Sequence, residues 1–173
     1  MSILPETSKN TFDPTAASVV SFLRDLNTPW KMKLFFLTKL PSLLFWGVRI
    51  KNIDPYRAQV TIPFSWWSQN PFKSTYFAAL AGAAELSTGM LASIALKGRG
   101  RISMLITNLE GQYTKKATSV VTFTCAEGQQ IIDTIQSAID SGEGREVTVT
   151  SIGHNAEGME VAQFKFTWSF KVK

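Results

Sequence analysis

One acid stands inside the most apolar stretch of the chain. From Asn70 to Leu96 the sequence reads NPFKSTYFAALAGAAELSTGMLASIAL, and Glu85 is its only carboxylate. Such a group is costly in apolar surroundings unless it is paired, protonated or used. Burial also raises its pKa toward the range in which a carboxylate serves as a general base. At helical spacings around it lie Ala78, Ala81, Gly82, Thr88, Gly89 and Ala92. That face is small almost throughout, so another backbone or a slender ligand can approach closely. The plain alternative is a buried acid bonded to a neighbouring backbone group or to the Thr88 hydroxyl.

The other reactive residue types are sparse. His154 is the only histidine and falls in a turn between strands, and no Gly-x-Ser-x-Gly elbow supplies it with a nucleophile. Cys125 is the only cysteine, so no intramolecular disulfide can form and a cysteine metal site has no second ligand. It lies on the apolar face of a strand and reads as a small core residue. No ligand cluster points to a metal. Arg99 and Arg101 form a basic turn, and Lys115 and Lys116 end a strand; solvated surface is the simplest reading of both pairs.

These residues need elements to hold them. The Asn70–Leu96 stretch predicts about twenty helical residues, with Ser74 or Thr75 as the cap and Lys97-Gly98 as the stop. This helix is apolar nearly all round, which marks a buried one. Ahead of it, Thr15–Asn27 has the spacing of a short amphipathic helix. Pro29 opens a second helix that Pro41 ends. Leu44–Ile53 and Tyr56–Trp66 form a hairpin about Asp54-Pro55, and the second run alternates cleanly from Ala58 to Trp66. After the helix come a strand over Ile102–Lys115 with a bulge at 108–111, a strand at Thr118–Ala126 and a helix at Gln129–Ile139. A last hairpin joins Glu146–Ile152 to Met159–Val172. The order is α+β: a mostly antiparallel sheet that needs one face covered, and one long helix able to cover it.

With 173 residues, one compact domain with a proper core is expected. Residues 1–15 are polar and read as irregular. Residues 1–41 read as an N-terminal helical extension and 42–173 as the main domain. Five Trp and twelve Phe indicate a large core, or apolar surface for a partner or ligand. The net charge of +5 suits a phosphorylated ligand or a membrane surface, but no basic block with interleaved aromatics argues for nucleic acid. The N-terminus lacks the pattern of a signal peptide, so a cytoplasmic location is expected. Met32–Ile50, with Lys33, Lys39 and Arg49, has some features of an interfacial helix, and peripheral membrane contact is the lesser expectation.

The run from Asn70 resembles the thioesterase signature of the hotdog superfamily, in its phenylacetyl-CoA thioesterase-like branch. That signature starts with Asn, passes through Gly and His-Gly-Gly, and reaches an acid fifteen positions on. Asn70 and Glu85 match its ends, while Lys73 stands at the Gly and Tyr76, Phe77 and Ala78 stand at His-Gly-Gly. The run Leu109–Ala117, LEGQYTKKA, is similar to the segment where an aromatic precedes a basic residue and Pro-Ala. The resemblance spans roughly residues 45–172. The N-terminal helices lie outside it and resemble those of an uncharacterised sub-branch.

The resemblance implies a hotdog fold, with an antiparallel sheet wrapped around a long central helix, working as a homodimer or homotetramer. It implies acyl-CoA thioesterase chemistry with Glu85 as general base or nucleophile. Backbone N–H groups near Tyr76 and Phe77, often facing another subunit's acid, would hold the oxyanion, with Asn70 at the helix start. Tyr76 would donate through its hydroxyl where the family uses His. The acyl chain would lie along Ala81, Gly82, Thr88 and Gly89. Arg99, Arg101, Lys115 and Lys116 are the nearest cations for the phosphates of CoA, which enters as part of the substrate, with no separate cofactor and no metal. The rival expectation is a non-catalytic acyl- or lipid-binding hotdog protein that kept the pocket and lost the donors.

Overall fold

Strict alternation builds the last strand. In β6 (Glu160–Val172) Phe164, Phe166, Trp168 and Phe170 are buried while Lys165 and Lys171 face solvent, as a period of two requires. The computed structural model of the chain describes residues 11–173. The irregular N-terminal stretch expected at 1–15 therefore lies, for residues 1–10, outside the described residues; 11–16 are turn and coil.

The remaining strands are β1 (Arg49–Ile53), β2 (Ala58–Ile62), β3 (Ile102–Tyr113), β4 (Val121–Cys125) and β5 (Arg145–His154). They form a six-stranded sheet in the order β1-β2-β4-β5-β6-β3, antiparallel throughout. The β1–β2 turn is made by Asp54, whose carboxylate accepts from the backbone N–H of Tyr56 and Arg57 at 2.8 and 2.9 Å. Local side-chain bonding of this kind is what makes Asp-Pro a turn signal. β2 is shorter than the alternation implied, because Pro63 has no N–H to offer a ladder.

Across one face of the sheet lies α4 (Phe77–Ala95), touching β2, β4, β5 and β6. Among the described residues it is the one helix long and apolar enough to cross a membrane. Its burial accounts for that composition: Ala83, Ala84, Leu86, Leu91, Ala92 and Ile94 are all enclosed. Small residues let the helix sit close to the aromatic floor of β6, and the result is the expected hotdog fold. A second helix, α5 (Gly128–Ser141), flanks α4 and ends on Gly142 in the left-handed conformation.

The N-terminal segment forms α1 (Ala17–Leu26), α2 (Pro29–Lys39) and α3 (Pro41–Phe45). Pro41 does more than end a helix. At the first position of α3 its fixed φ favours a further turn, so the extended run expected from Leu44 begins only at Arg49. Val19, Leu26, Met32, Phe36 and Leu43 join the same core as the sheet. The third helix covers part of α4, where Trp46 and Leu43 sit directly over Gly82.

Two local expectations change. Neither Ser74 nor Thr75 caps α4; the capping position is Tyr76, with no side-chain bond. Both hydroxyls are spent elsewhere, Thr75 on the Ala117 carbonyl and Ser74 on Asn70. The strand β3 runs unbroken past 108–111, and its irregularity falls between Ile106 and Asn108.

Candidate active site

The entry to α4 is organised by Asn70. Its side-chain oxygen accepts from the backbone N–H of Phe72 and Ser74 at 3.0 and 3.2 Å, and its amide donates to the Ser74 hydroxyl at 3.1 Å. The closed turn carries Lys73 at φ 57°, a left-handed conformation that favours glycine. Lys73 stands where the resembled signature has glycine, the residue that adopts this conformation at least cost. Thr75 then ties the turn to the sheet side, donating through both N–H and hydroxyl to Ala117 at 2.8 and 3.1 Å.

This arrangement settles which donors are free at the helix start. The Tyr76 N–H is committed to the Ser68 carbonyl at 2.7 Å. The first helical N–H groups, of Phe77 and Ala78, meet no acceptor among the described residues. Such groups carry the helix's partial positive charge. Of the donors expected at Tyr76 and Phe77, the Tyr76 N–H is therefore taken by a tertiary bond that the local sequence does not announce, and the Ala78 N–H stands in its place beside Phe77. Phe77 is 57% exposed, and its ring lies against that of Tyr76 at 4.8 Å.

A hollow of about 360 Å³ opens beside this start, walled by Asn70, Phe77, Leu80, Tyr113, Lys115 and Lys116. Four sequence candidates therefore meet there. The fold also adds Tyr113, whose hydroxyl donates to the Phe77 carbonyl at 3.5 Å and whose pKa is raised by burial. It lies inside the LEGQYTKKA run, which was the available signal for it. Lys115 reaches the Met159 sulfur at 3.2 Å.

Glu85 sits two turns deeper. Eight residues separate it from Phe77, about 12 Å along the helix. Buried hydroxyl bonds fix the rotation of α4 and so the direction of this acid: Ser87 to Ser151 at 2.8 Å, and the Trp168 indole N–H to Thr88 at 3.1 Å. The Thr88 hydroxyl also donates to the Glu85 backbone carbonyl, not to its carboxylate. The carboxylate lies over Gly89, where a Cβ would come within 2.9 Å of it and 3.4 Å of the Trp168 ring. It has no hydrogen-bond partner among the described residues, and burial alone pushes its pKa up. Thr88 and Gly89 are themselves buried, and Gly82 lies under Trp46 and Leu43, whereas Ala78, Ala81 and Glu85 form a half-buried strip along α4 that reaches solvent.

The remaining candidates lie elsewhere. Arg99, at the far end of α4, is 3% exposed and turned into the α4–α5 joint, donating to Ile132 O at 3.3 Å and to the Gln136 side chain. Arg101 is exposed just before β3. His154 ends β5 on the outer face of the sheet, near Lys51, Arg57 and Thr122. Cys125 is buried, and its thiol is pushed up to about 11 mainly by that burial, which leaves it a core residue. Among the described residues no group of three His, Cys, Asp or Glu could hold a metal ion.

Comparison with known proteins gives these features a context. Residues 28–170 match the family described as "Domain of unknown function (DUF4442)". Among curated proteins none matches the chain in sequence. The fold is shared with a Pseudomonas aeruginosa protein of unknown function described as "Probable Thioesterase" (TM-score 0.68, 15% identity, covering 84% of this chain and 97% of that one). A Chlorobaculum tepidum protein of unknown function is similarly close (TM-score 0.69, 14% identity, 84% and 98% covered). So, at greater distance, is a thioesterase of Haemophilus influenzae (TM-score 0.59, 12% identity, 83% and 90% covered).

Proposed function

The chain belongs to the DUF4442 family, and on that premise we propose that it hydrolyses acyl thioesters, with Glu85 as the general base. One observation carries the reading: on a helix otherwise locked in the core, a carboxylate without a hydrogen-bond partner lies on the strip that reaches solvent. Its oxygens are not sealed in the core, so water, the co-reactant of hydrolysis, can reach a carboxylate that no protein group among the described residues holds. The resemblance of the Asn70–Glu85 run and the thioesterases among proteins of like fold support the same chemistry.

In this reading the Glu85 carboxylate takes a proton from water, and the resulting hydroxide attacks the thioester carbonyl carbon. The oxyanion is held by the N–H groups of Phe77 and Ala78. The C–S bond then breaks and the thiolate leaves, to be protonated from solvent. About 12 Å of helix separates acid from donors within one chain, too far for one carbonyl group to use both. A complete site therefore joins Glu85 of one copy to the helix start of another, which makes the working unit at least a homodimer. Lys115 and Lys116, on the hollow beside that helix start, suit the phosphates of a CoA carrier.

A second reading, an acyl-binding protein without turnover, is favoured by the bulky Tyr76 and Phe77 where the resembled signature has His-Gly-Gly. A hydrolysis screen over acyl-CoA chain lengths, with wild type and Glu85→Gln, separates the two. Turnover lost in the variant supports the enzyme. Equal rates would remove Glu85 from the mechanism. Tight acyl binding with no turnover of any thioester would establish the binding protein.

A further inference from the structure

Away from the thioester site, a hollow of about 300 Å³ lies between α2 and the outer edge of β1. Its floor is apolar: Leu26, Met32, Phe36 and Val48 are each under 7% exposed. Its rim is cationic, with Lys33 from α2 and Arg49 and Lys51 from β1. Among the described residues no Asp or Glu lines it. Among the described residues the ion pairs are Lys31–Asp25 and Arg145–Glu143, so the three rim cations have no carboxylate of their own. The sheet is open here, since β1 pairs only with β2, and the register shift between Ile50 and Asn52 takes Lys51 out of the ladder. The one amide on the wall, Asn27, is spent on the carbonyls of Leu23 and Ile53.

These features select a kind of ligand. An apolar floor takes a hydrocarbon tail, and three like charges on one rim create a positive potential that an anion relieves. The volume is at the lower end of small-molecule sites, roughly 300–1,000 Å³, which suits one chain better than two. We infer that this hollow binds a single-chain amphiphile with an anionic head, its tail among Leu26, Met32, Phe36 and Val48 and its head at Lys33, Arg49 and Lys51. The site is separate from Glu85 and from the start of α4, so the inference does not rest on the thioesterase reading.

The test uses the full chain and decyl phosphate below its critical micelle concentration, followed by titration calorimetry. Saturable one-to-one binding is expected. Reversing the exposed rim charges, in the double variant R49E/K51E and separately in K33E, should weaken binding at least about tenfold, roughly 1.4 kcal/mol. Decanol, which lacks the anionic head, should bind more weakly and be indifferent to both variants, and E85Q should leave decyl phosphate binding unchanged. Circular dichroism checks that each variant is folded. The inference fails if decyl phosphate does not bind, or if both rim variants bind it as tightly as wild type does. It fails equally if E85Q is the variant that weakens binding, which would place the ligand in the thioester site. Binding only to phosphatidylglycerol vesicles and not to the monomeric amphiphile would overturn it in favour of a membrane-docking surface.

Discussion

At the scale of single residues, Glu85 and Gly89 act as a pair. The raised pKa of Glu85 means that the folded protein holds a proton the unfolded chain releases. Below the ordinary value of 4.5 both states are protonated and nothing is lost. As pH rises through the raised folded value, the native state must carry a desolvated charge, and stability falls. Glu85→Gln removes that cost. Its thermal midpoint should exceed that of wild type near pH 7, and the gap should close by about pH 4. In the thioesterase reading the same variant loses roughly 10²–10⁴-fold in turnover, and wild-type activity rises with pH as the carboxyl ionises. Gly89→Ala tests the geometry separately. Its Cβ would meet the Glu85 oxygen at 2.9 Å, and the flexible carboxylate can swing aside. Helix propensity favours Ala by about 1 kcal/mol, so the variant should unfold no more readily than wild type. A displaced base should nevertheless cost roughly 10²-fold in turnover. Stability and rate moving together would argue that Gly89 serves packing alone.

At the scale of elements, the turn before α4 and the joint behind it are held by different means. Lys73 occupies a left-handed conformation inside a turn closed by Asn70. Lys73→Gly should be neutral or stabilising by up to about 1 kcal/mol, relief of strain being offset by chain entropy. Lys73→Val should destabilise by roughly 1–3 kcal/mol; urea unfolding of the pair reads the difference. At the other end of α4, Arg99 bonds α4 to α5 through Ile132 and Gln136. Arg99→Ala should lower stability by about 1–3 kcal/mol, because buried acceptors lose their donor. With Arg99 facing this joint, KM for any thioester should not change. A selective rise in KM would return Arg99 to the substrate site.

At the scale of the whole molecule, β3 is the longer of the sheet's two edge strands. It spans Ile102–Tyr113, forms one edge of the sheet, and leaves Leu105 66% and Leu109 48% exposed. A long edge with apolar side chains invites pairing with another strand. A second copy could pair there about a two-fold axis, extending the sheet while bringing two central helices together. The double variant Leu105→Lys/Leu109→Lys should then sediment as a monomer at micromolar concentration and lose turnover with it, while staying folded by circular dichroism. Wild type sedimenting as a monomer under the same conditions would remove the shared site.

Much of this architecture was legible in the sequence because it rests on periodicity. The alternation from Ala162 to Val172 and the small and apolar run from Phe77 to Ala95, broken by the single charge of Glu85, each point to a buried element, and together they required a sheet with a helix across it. The acid at Glu85 was conspicuous for the same reason: its neighbours at helical spacings are small and, Thr88 apart, apolar. Tertiary structure decided what local pattern does not encode. It spent the hydroxyls of Ser74 and Thr75 on Asn70 and Ala117, bound the Tyr76 N–H to Ser68, and turned Arg99 inward to Gln136. It also brought Tyr113 to Phe77 across 36 residues. A hydroxyl, an amide or a guanidinium can satisfy its bonds in many ways, and which partner it takes depends on what the fold brings within about 3 Å.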